Sequence, residues 1–509
     1  MLRDMEVTVS IKSGFVLILC GLFVGCNDSD NQVQSIADTV REQLKITEID
    51  EASSVFISSL QVDIPTAQVS SIKFEVQPRQ GSVTEPISVT YDLDSTDYSD
   101  LGLKLPIWGM YENALNTIDV EISFTDNSFL SESLQVQTGE YIDTNNIFNK
   151  ILVNQELNRE DVTYSYFYLE NRTDQGPVIM DIEGNIRWVG NTELYKDPDP
   201  NYLTALFDSD RFVIHSGESL VTLFLDGRVK ETDIVAENLE AISPHHEITW
   251  GKEGYLLNIN ATKNSVYIIE AILIEVDENG VLINEWDFGE IISNFMLENG
   301  DDPSSFVRDG IDWFHMNSAI YDPSDNSIIA SSRENFVIKV DYDTKEIIWI
   351  LGDETKYWAT FPSLLALSLF SSDIKPMGEH ALSLVDDTLM LFNNGQASFN
   401  QPDSAPVGDK LSSSLGMKWV IDESTMSADV VWQYDGGIYS DICSSIYEQD
   451  GAYLVTYSAV DRTNADLSRA IIRGVSDDKS TLFEYEHSNN GSACVTWNSD
   501  IIETLGLTL

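Results

Sequence analysis

Between residues 55 and 137, apolar and polar side chains alternate with a period of two in SSIKFEVQP, EPISVTYDLD and IDVEISFTD. Alternation of this kind predicts strands with one buried face, and the intervening PRQGS and DLDSTD supply turn residues. A small antiparallel β-sandwich over residues 55–140 is expected. Ahead of it, ADTVREQLKITEID (residues 37–50) predicts a short helix, which with a polar tether fills residues 27–54.

From residue 141 to 509 the pattern changes to a degenerate repeat: an apolar residue, Asp, a short turn, a few apolar residues and an aromatic. It occurs as MDIEGNIRW (180–188), VDENGVLINEW (276–286), VDYDTKEIIW (340–349) and IDESTMSADVVW (421–432). VSDDKSTLFEY (475–485) is a worn copy, and LFLDGRVKET around Asp226 a weaker sixth. Each copy predicts a hairpin turned at the Asp, with the aromatic of its outer strand packed between neighbouring sheets. Two hairpins per unit make a four-stranded blade, and six units close into a β-propeller. The predicted class is therefore all-β: a six-bladed β-propeller over residues 141–509, preceded by the sandwich.

Charge changes the picture of partners. The chain of 509 residues has 84 acidic and 29 basic residues, a formal net charge of −55. Such a surface repels a phosphate backbone, which excludes nucleic acid as a partner. An anionic substrate would need local positive charge, so each well-placed cation is informative.

Residues 1–26 look like an address. Arg3 and Lys12 precede the apolar run GFVLILCGLFVG (14–25), too short to span a membrane. It ends in Leu22-Phe23-Val24-Gly25-Cys26, similar to a lipoprotein processing box in which the Cys26 thiol takes the lipid. The expectation is an exported lipoprotein of a Gram-negative bacterium, periplasmic or anchored at the outer membrane. Its membrane contact would be only through Cys26, with simple cleavage or an uncleaved anchor as alternatives. In the mature part Cys443 and Cys494 remain, a disulfide in an oxidising compartment or two buried thiols. No CxxC or Cys/His cluster suggests a metal site.

Four of the six histidines occupy related places. His245 and His246 open one repeat unit, His315 the next and His380 the one after, each at the entry of an expected inner strand. Inner strands line a propeller axis, so these side chains should converge on one mouth of the channel. His215 and His487 lack that placement and are expected to be structural. Arg333 follows the strand SIIASS in a chain poor in cations.

Residues 312–352, DWFHMNSAIYDPSDNSIIASSRENFVIKVDYDTKEIIWILG, closely resemble the signature block of bacterial PAPS-independent arylsulfate sulfotransferases. The HHE segment at His245 and HALSLVDDTLMLFNNG from His380 resemble the same family in the same order, over roughly residues 160–500. The resemblance implies a six-bladed propeller with a funnel-shaped site, no metal or other cofactor, and a homodimer. It further implies ping-pong transfer of a sulfuryl group from an aryl sulfate to a phenol through a sulfated histidine. By position, His380 matches the sulfated histidine, and His315 and Arg333 match groups that hold the sulfuryl oxygens. His246, or else His245, matches the acid and base for the phenolic oxygen, and Asn317 matches a group that orients the donor or a histidine. Two departures stand out. Glu334-Asn335 replaces the His-Gln common after that arginine, and the stretch after Asn394-Gly395 lacks an arginine often found there. Alternation along a strand would point Glu334 away from Arg333. An aryl sulfate hydrolase and a non-catalytic anion-binding propeller are the competing readings.

Overall fold

The structure, a computed structural model, describes residues 34–508 apart from 50–53, 64–67, 94–102, 145, 149–151, 156–161, 172–175, 191–203, 491, 493 and 503–504. The signal segment and Cys26 lie outside the described residues. The helix expected over 37–50 is confined to Ile36–Val40, where Ser35 Oγ caps it by accepting the Asp38 N–H at 3.1 Å. Lys45–Ile49 is instead a strand, paired antiparallel with Ile57–Asp63. Its β-branched residues favour the strand once a partner edge is available, which a local reading of the sequence cannot supply.

Ile57–Asp63 pairs in turn with Leu103–Trp108. A second sheet runs in the order Gly506–Thr508, Ile87–Asp92, Val69–Val76, Leu115–Phe124, Phe129–Gln137. The predicted alternation holds: Leu60, Val62, Leu105 and Ile107 from the first sheet share one core with Ile72, Phe74, Val120 and Ile122 from the second. Gly506–Thr508 joins this sheet in parallel, which brings a strand from far along the chain to the N-terminal unit.

Among the described residues, six further sheets of four or five strands follow. Their first strands lie side by side in sequence order: Ala205–Asp208, Glu240–Trp250, Met316–Asp322, His380–Val385, Ser445–Gln449 and then Thr496–Ile502. The ring closes at both ends of the unit. Thr496–Ile502 adds the innermost strand to the sheet of Tyr166–Asn171, and Leu152–Gln155 adds an outer strand to the sheet ending in Thr481–Ser488.

The repeat has a physical basis. Its aspartates organise the outer turns by accepting backbone N–H groups, as Asp277 Oδ1 does from Asn279 (2.8 Å) and Val281 (2.9 Å). Asp341 Oδ1 accepts from Asp343 (3.0 Å) and Thr344 (2.7 Å) in the same way. The aromatics join sheet to sheet. Trp188 donates its indole N–H to Leu225 O, Trp349 to Glu423 Oε1 and Trp432 to Asp477 O, each at the corresponding turn of the next sheet. Arg187, fully buried, locks the N-terminal unit to this ring: it donates to Gly109 O at 2.7 Å and lies 3.9 Å over the Tyr111 ring. No helix among the described residues is long and apolar enough to cross a membrane.

Candidate active site

At the entries of three successive inner strands the ladder slips and the backbone turns left-handed. Pairing shifts between Pro244 and Ile248, between Met316 and Ser318, and between His380 and Ser383. The residues with positive φ are His246 (63°), His315 (53°) and Ala381 (53°). Such bulges re-aim side chains at a cost in backbone strain, which neighbouring structure must hold in place. The result is a cluster. The ring centroids of His246 lie 3.9 Å from His245, 4.7 Å from His315 and 6.5 Å from His380. His215 and His487 stay in sheet interiors, the latter bonded to Thr496 Oγ1 at 2.6 Å.

One carboxylate that motif reading passed over organises three of these rings. Glu270 Oε2 is 3.0 Å from His246 Nε2 and 2.7 Å from His315 Nδ1, and Oε1 is 3.3 Å from His245 Nε2. Glu270 itself has φ 47°, and its N–H donates to Asn260 Oδ1 at 3.1 Å. Its sequence signal was a carboxylate, one of two with Glu275, inside the apolar run of Val266–Val276, where an unpaired charge would be costly to bury. Burial works to raise its pKa, but His315 and His246 outweigh that and hold it well below the carboxylate range.

His315 Nδ1 also meets Asp312 Oδ2 at 2.6 Å. Its Nε2 is 2.7 Å from Arg333 Nη1. A guanidinium only donates, so Nε2 accepts and the ring proton sits on Nδ1 between the two carboxylates. Burial opposes charging His315, yet Glu270 and Asp312 raise its pKa overall. A second proton and the Arg333 contact exclude each other at Nε2, so His315 charges when something other than Arg333 faces that nitrogen. His246 is pushed down by burial against the pull of Glu270. His245 is pushed well down by burial and by His246.

His380 is buried and set by Asn394. The Asn394 amide nitrogen donates to Ser440 O (2.7 Å) and Cys443 O (2.9 Å), so its oxygen faces His380 Nδ1 at 2.8 Å and accepts the ring proton. The lone pair is therefore on Nε2, which the Cys443 N–H approaches at 3.2 Å. Burial and the nearby His246 hold His380 well below the usual imidazole range, which keeps it neutral. Cys443 is disulfide-bonded to Cys494, with Cα atoms 6.3 Å apart. Asn317 Nδ2 donates to Glu379 O at 2.8 Å, and so supports the backbone that carries His380. Burial pushes the Glu379 carboxyl up to about 7, with Lys356 opposing.

Glu334 does not point away. Its Oε1 is 2.8 Å from Arg333 Nη2, because Arg333 and Glu334 sit in the turn after Ser327–Ser332, where strand alternation no longer applies. Donor atoms of His245, His246 and Glu270, and of Glu270, Asp312 and His315, lie within 4.8 Å of one another, a spacing that would admit a cation. The imidazole–carboxylate contacts above account for that spacing without one.

A ring of antiparallel sheets here brings together histidines, an arginine and a neutral buried imidazole, a set of groups suited to nucleophilic transfer of an anionic group. The comparisons agree in class. The family described as Arylsulfotransferase (ASST) matches residues 147–497, and the Arylsulfotransferase Ig-like domain matches residues 50–139. The chain belongs to the arylsulfotransferase (ASST) family. It is 22% identical over 495 residues to the arylsulfate sulfotransferase AssT of Lelliottia amnigena, covering 76% of this chain and 80% of that one. Against AssT of Escherichia coli O6:H1 (strain CFT073) it is 25% identical over 339 residues, covering 53% of this chain and 55% of the relative. Among solved structures, the Cps50 (Swd1) beta-propeller domain of Myceliophteria thermophila aligns with 65% of this chain and 88% of its own at 9% identity. Its TM-score of 0.34 is too low to bear on the fold.

Proposed function

We propose that the protein moves a sulfuryl group from an aryl sulfate to a phenol, without PAPS, through a sulfated His380. The frame would be a six-bladed propeller behind an N-terminal sandwich, exported and held to a membrane by a lipid on Cys26. The observation that carries this reading is the state of His380, a neutral imidazole whose proton is held by Asn394 Oδ1 at 2.8 Å and whose lone pair is on Nε2. In the first half-reaction Nε2 attacks sulfur, the N–S bond forms and the S–O bond to the aryl group breaks. Arg333 and His315 face the sulfuryl oxygens, and an oxygen between Arg333 Nη1 and His315 Nε2 relieves their competition and lets His315 take its second proton. Charge building on those oxygens is then met by fixed donors.

The leaving phenolate takes a proton from His246, which holds it from the preceding turnover. In the second half-reaction His246 removes the proton of the incoming phenol, its oxygen attacks sulfur, and the N–S bond breaks to restore neutral His380. Low intrinsic basicity suits His246 to this exchange: it releases the proton readily, while the bound anion and Glu270 help it to hold one. His245, on the far oxygen of Glu270, fixes that carboxylate. The test is purified protein with nitrophenyl sulfate, with and without phenol, beside His380→Ala. Nitrophenol release that rises with phenol and is lost in the variant, with sulfate detected on His380 by mass spectrometry, is expected. Release indifferent to phenol would make the protein a hydrolase, and no release from several donors would leave an anion-binding propeller.

A further inference from the structure

The two departures from the family's sequence pattern touch each other. Glu334 Oε2 accepts the backbone N–H groups of Phe399 (2.9 Å) and Asn400 (2.8 Å), and Glu334 O accepts Gln401 Nε2 at 3.2 Å. Asn400 Nδ2 donates to Asp312 Oδ2 at 3.0 Å, which ties the same strap to the carboxylate that faces His315. These contacts fix the backbone that carries Phe399, whose side chain stays 46% exposed. The Arg333 guanidinium carbon lies 4.9 Å from the centre of that ring. An apolar face is thereby held at fixed distance from the arginine that faces the sulfuryl oxygens, and an aryl sulfate has the same form, a ring one oxygen away from its anionic group.

We propose that Phe399 is the platform against which the aromatic ring of the donor packs, and that it sets the preference for aryl over alkyl sulfates. Glu334 takes part as the residue that fixes the strap relative to Arg333. This rests on the reading of the site as one for aryl sulfates, and binding can be separated from turnover. Naphthalene-2-sulfonate, whose C–S bond does not transfer, and butanesulfonate are titrated by calorimetry into wild-type protein, Phe399→Ala and Phe399→Tyr. Phe399→Ala is expected to weaken the aryl sulfonate roughly tenfold, as loss of one ring–ring contact with its buried area does, and to leave butanesulfonate unchanged. Phe399→Tyr is expected to bind both as wild type does. Equal affinities of wild type for the two sulfonates, or equal losses for both in Phe399→Ala, would overturn the platform. Turnover of nitrophenyl sulfate through His380, measured alongside, stands or falls separately: transfer without ring preference sinks the platform alone, and ring-selective binding without transfer supports it while sinking the transferase.

Discussion

His380 Nδ1 stands 2.8 Å from Asn394 Oδ1, and the two carbonyls on the Asn394 amide nitrogen leave that oxygen no other orientation. The tautomer of His380, the proposed nucleophile, is held chiefly by this residue 14 positions further along the chain, with Gly378 O a longer second acceptor 3.2 Å from Nδ1. Asn394→Ala removes the shorter acceptor and leaves Nδ1 only the longer contact to Gly378 O, so more of the proton shifts to Nε2, where it blocks attack. With a hydrogen bond of about 1–2 kcal/mol lost, a fall in kcat/KM of roughly tenfold or more is expected. Nitrogen NMR of the labelled imidazole should show the tautomer shift, and an unchanged spectrum would remove Asn394 from this role.

Glu270→Gln keeps the shape of the side chain and removes the charge shared by three histidines. The anion raises the proton affinity of His246 and His315, so both should lose protons at lower pH in the variant. The limb on which activity falls with rising pH should move to lower pH, with kcat reduced roughly ten- to a hundredfold. Steady-state rates across pH check this, and a profile that drops without moving would mark Glu270 as merely structural.

Much of this was legible in the sequence because the repeat has a local cause. Asp at the outer turns caps nearby N–H groups and Trp or Tyr follows within the same hairpin, so pattern and structure share a scale of about ten residues. The histidines were legible for the same reason, since each opens a unit. Glu270, Asp312 and Asn394 were harder. Asp312 lay unremarked inside a motif. Asn394 reaches His380 from the end of the neighbouring strand of the same sheet, and Glu270 meets His245 and His246 within its own sheet and His315 of the next. Strand pairing creates these contacts, and local pattern does not show them. The strand Lys45–Ile49 depends on the edge of the next strand, Ile57–Asp63, and Gly506–Thr508 on an edge supplied from far along the chain.

His487 gives a stability prediction. Burial lowers its pKa from 6.5 to about 4, with Asp143 opposing. In the unfolded chain this imidazole charges as pH falls through 6.5, whereas the folded one stays neutral until about 4. The unfolded state therefore binds more protons in that window, and stability falls with pH there by roughly 3 kcal/mol from this group. Above 6.5 the contribution is absent, and below about 4 it is complete. Urea denaturation of His487→Gln should lose less stability between pH 7 and 4 than wild type, and parallel curves would assign the acid sensitivity elsewhere.

The Cys443–Cys494 bridge closes a loop across a sequence separation of 51 and holds Cys443, with φ 57°, against His380. Loop-closure entropy alone gives the crosslink about 4 kcal/mol. Its removal has a second effect, since the Cys443 N–H meets His380 Nε2 and the Cys443 carbonyl holds the Asn394 amide. Loosening one backbone segment thus disturbs both nitrogens of His380, the proposed nucleophile. Cys494→Ser is expected to lower the melting temperature by several degrees and, at temperatures where it remains folded, to reduce kcat more than it raises KM. The paired variant Cys443→Ser with Cys494→Ser should behave in the same way, since no free thiol is then left to explain the loss. Wild-type kcat in a folded variant would show that the bridge serves stability alone.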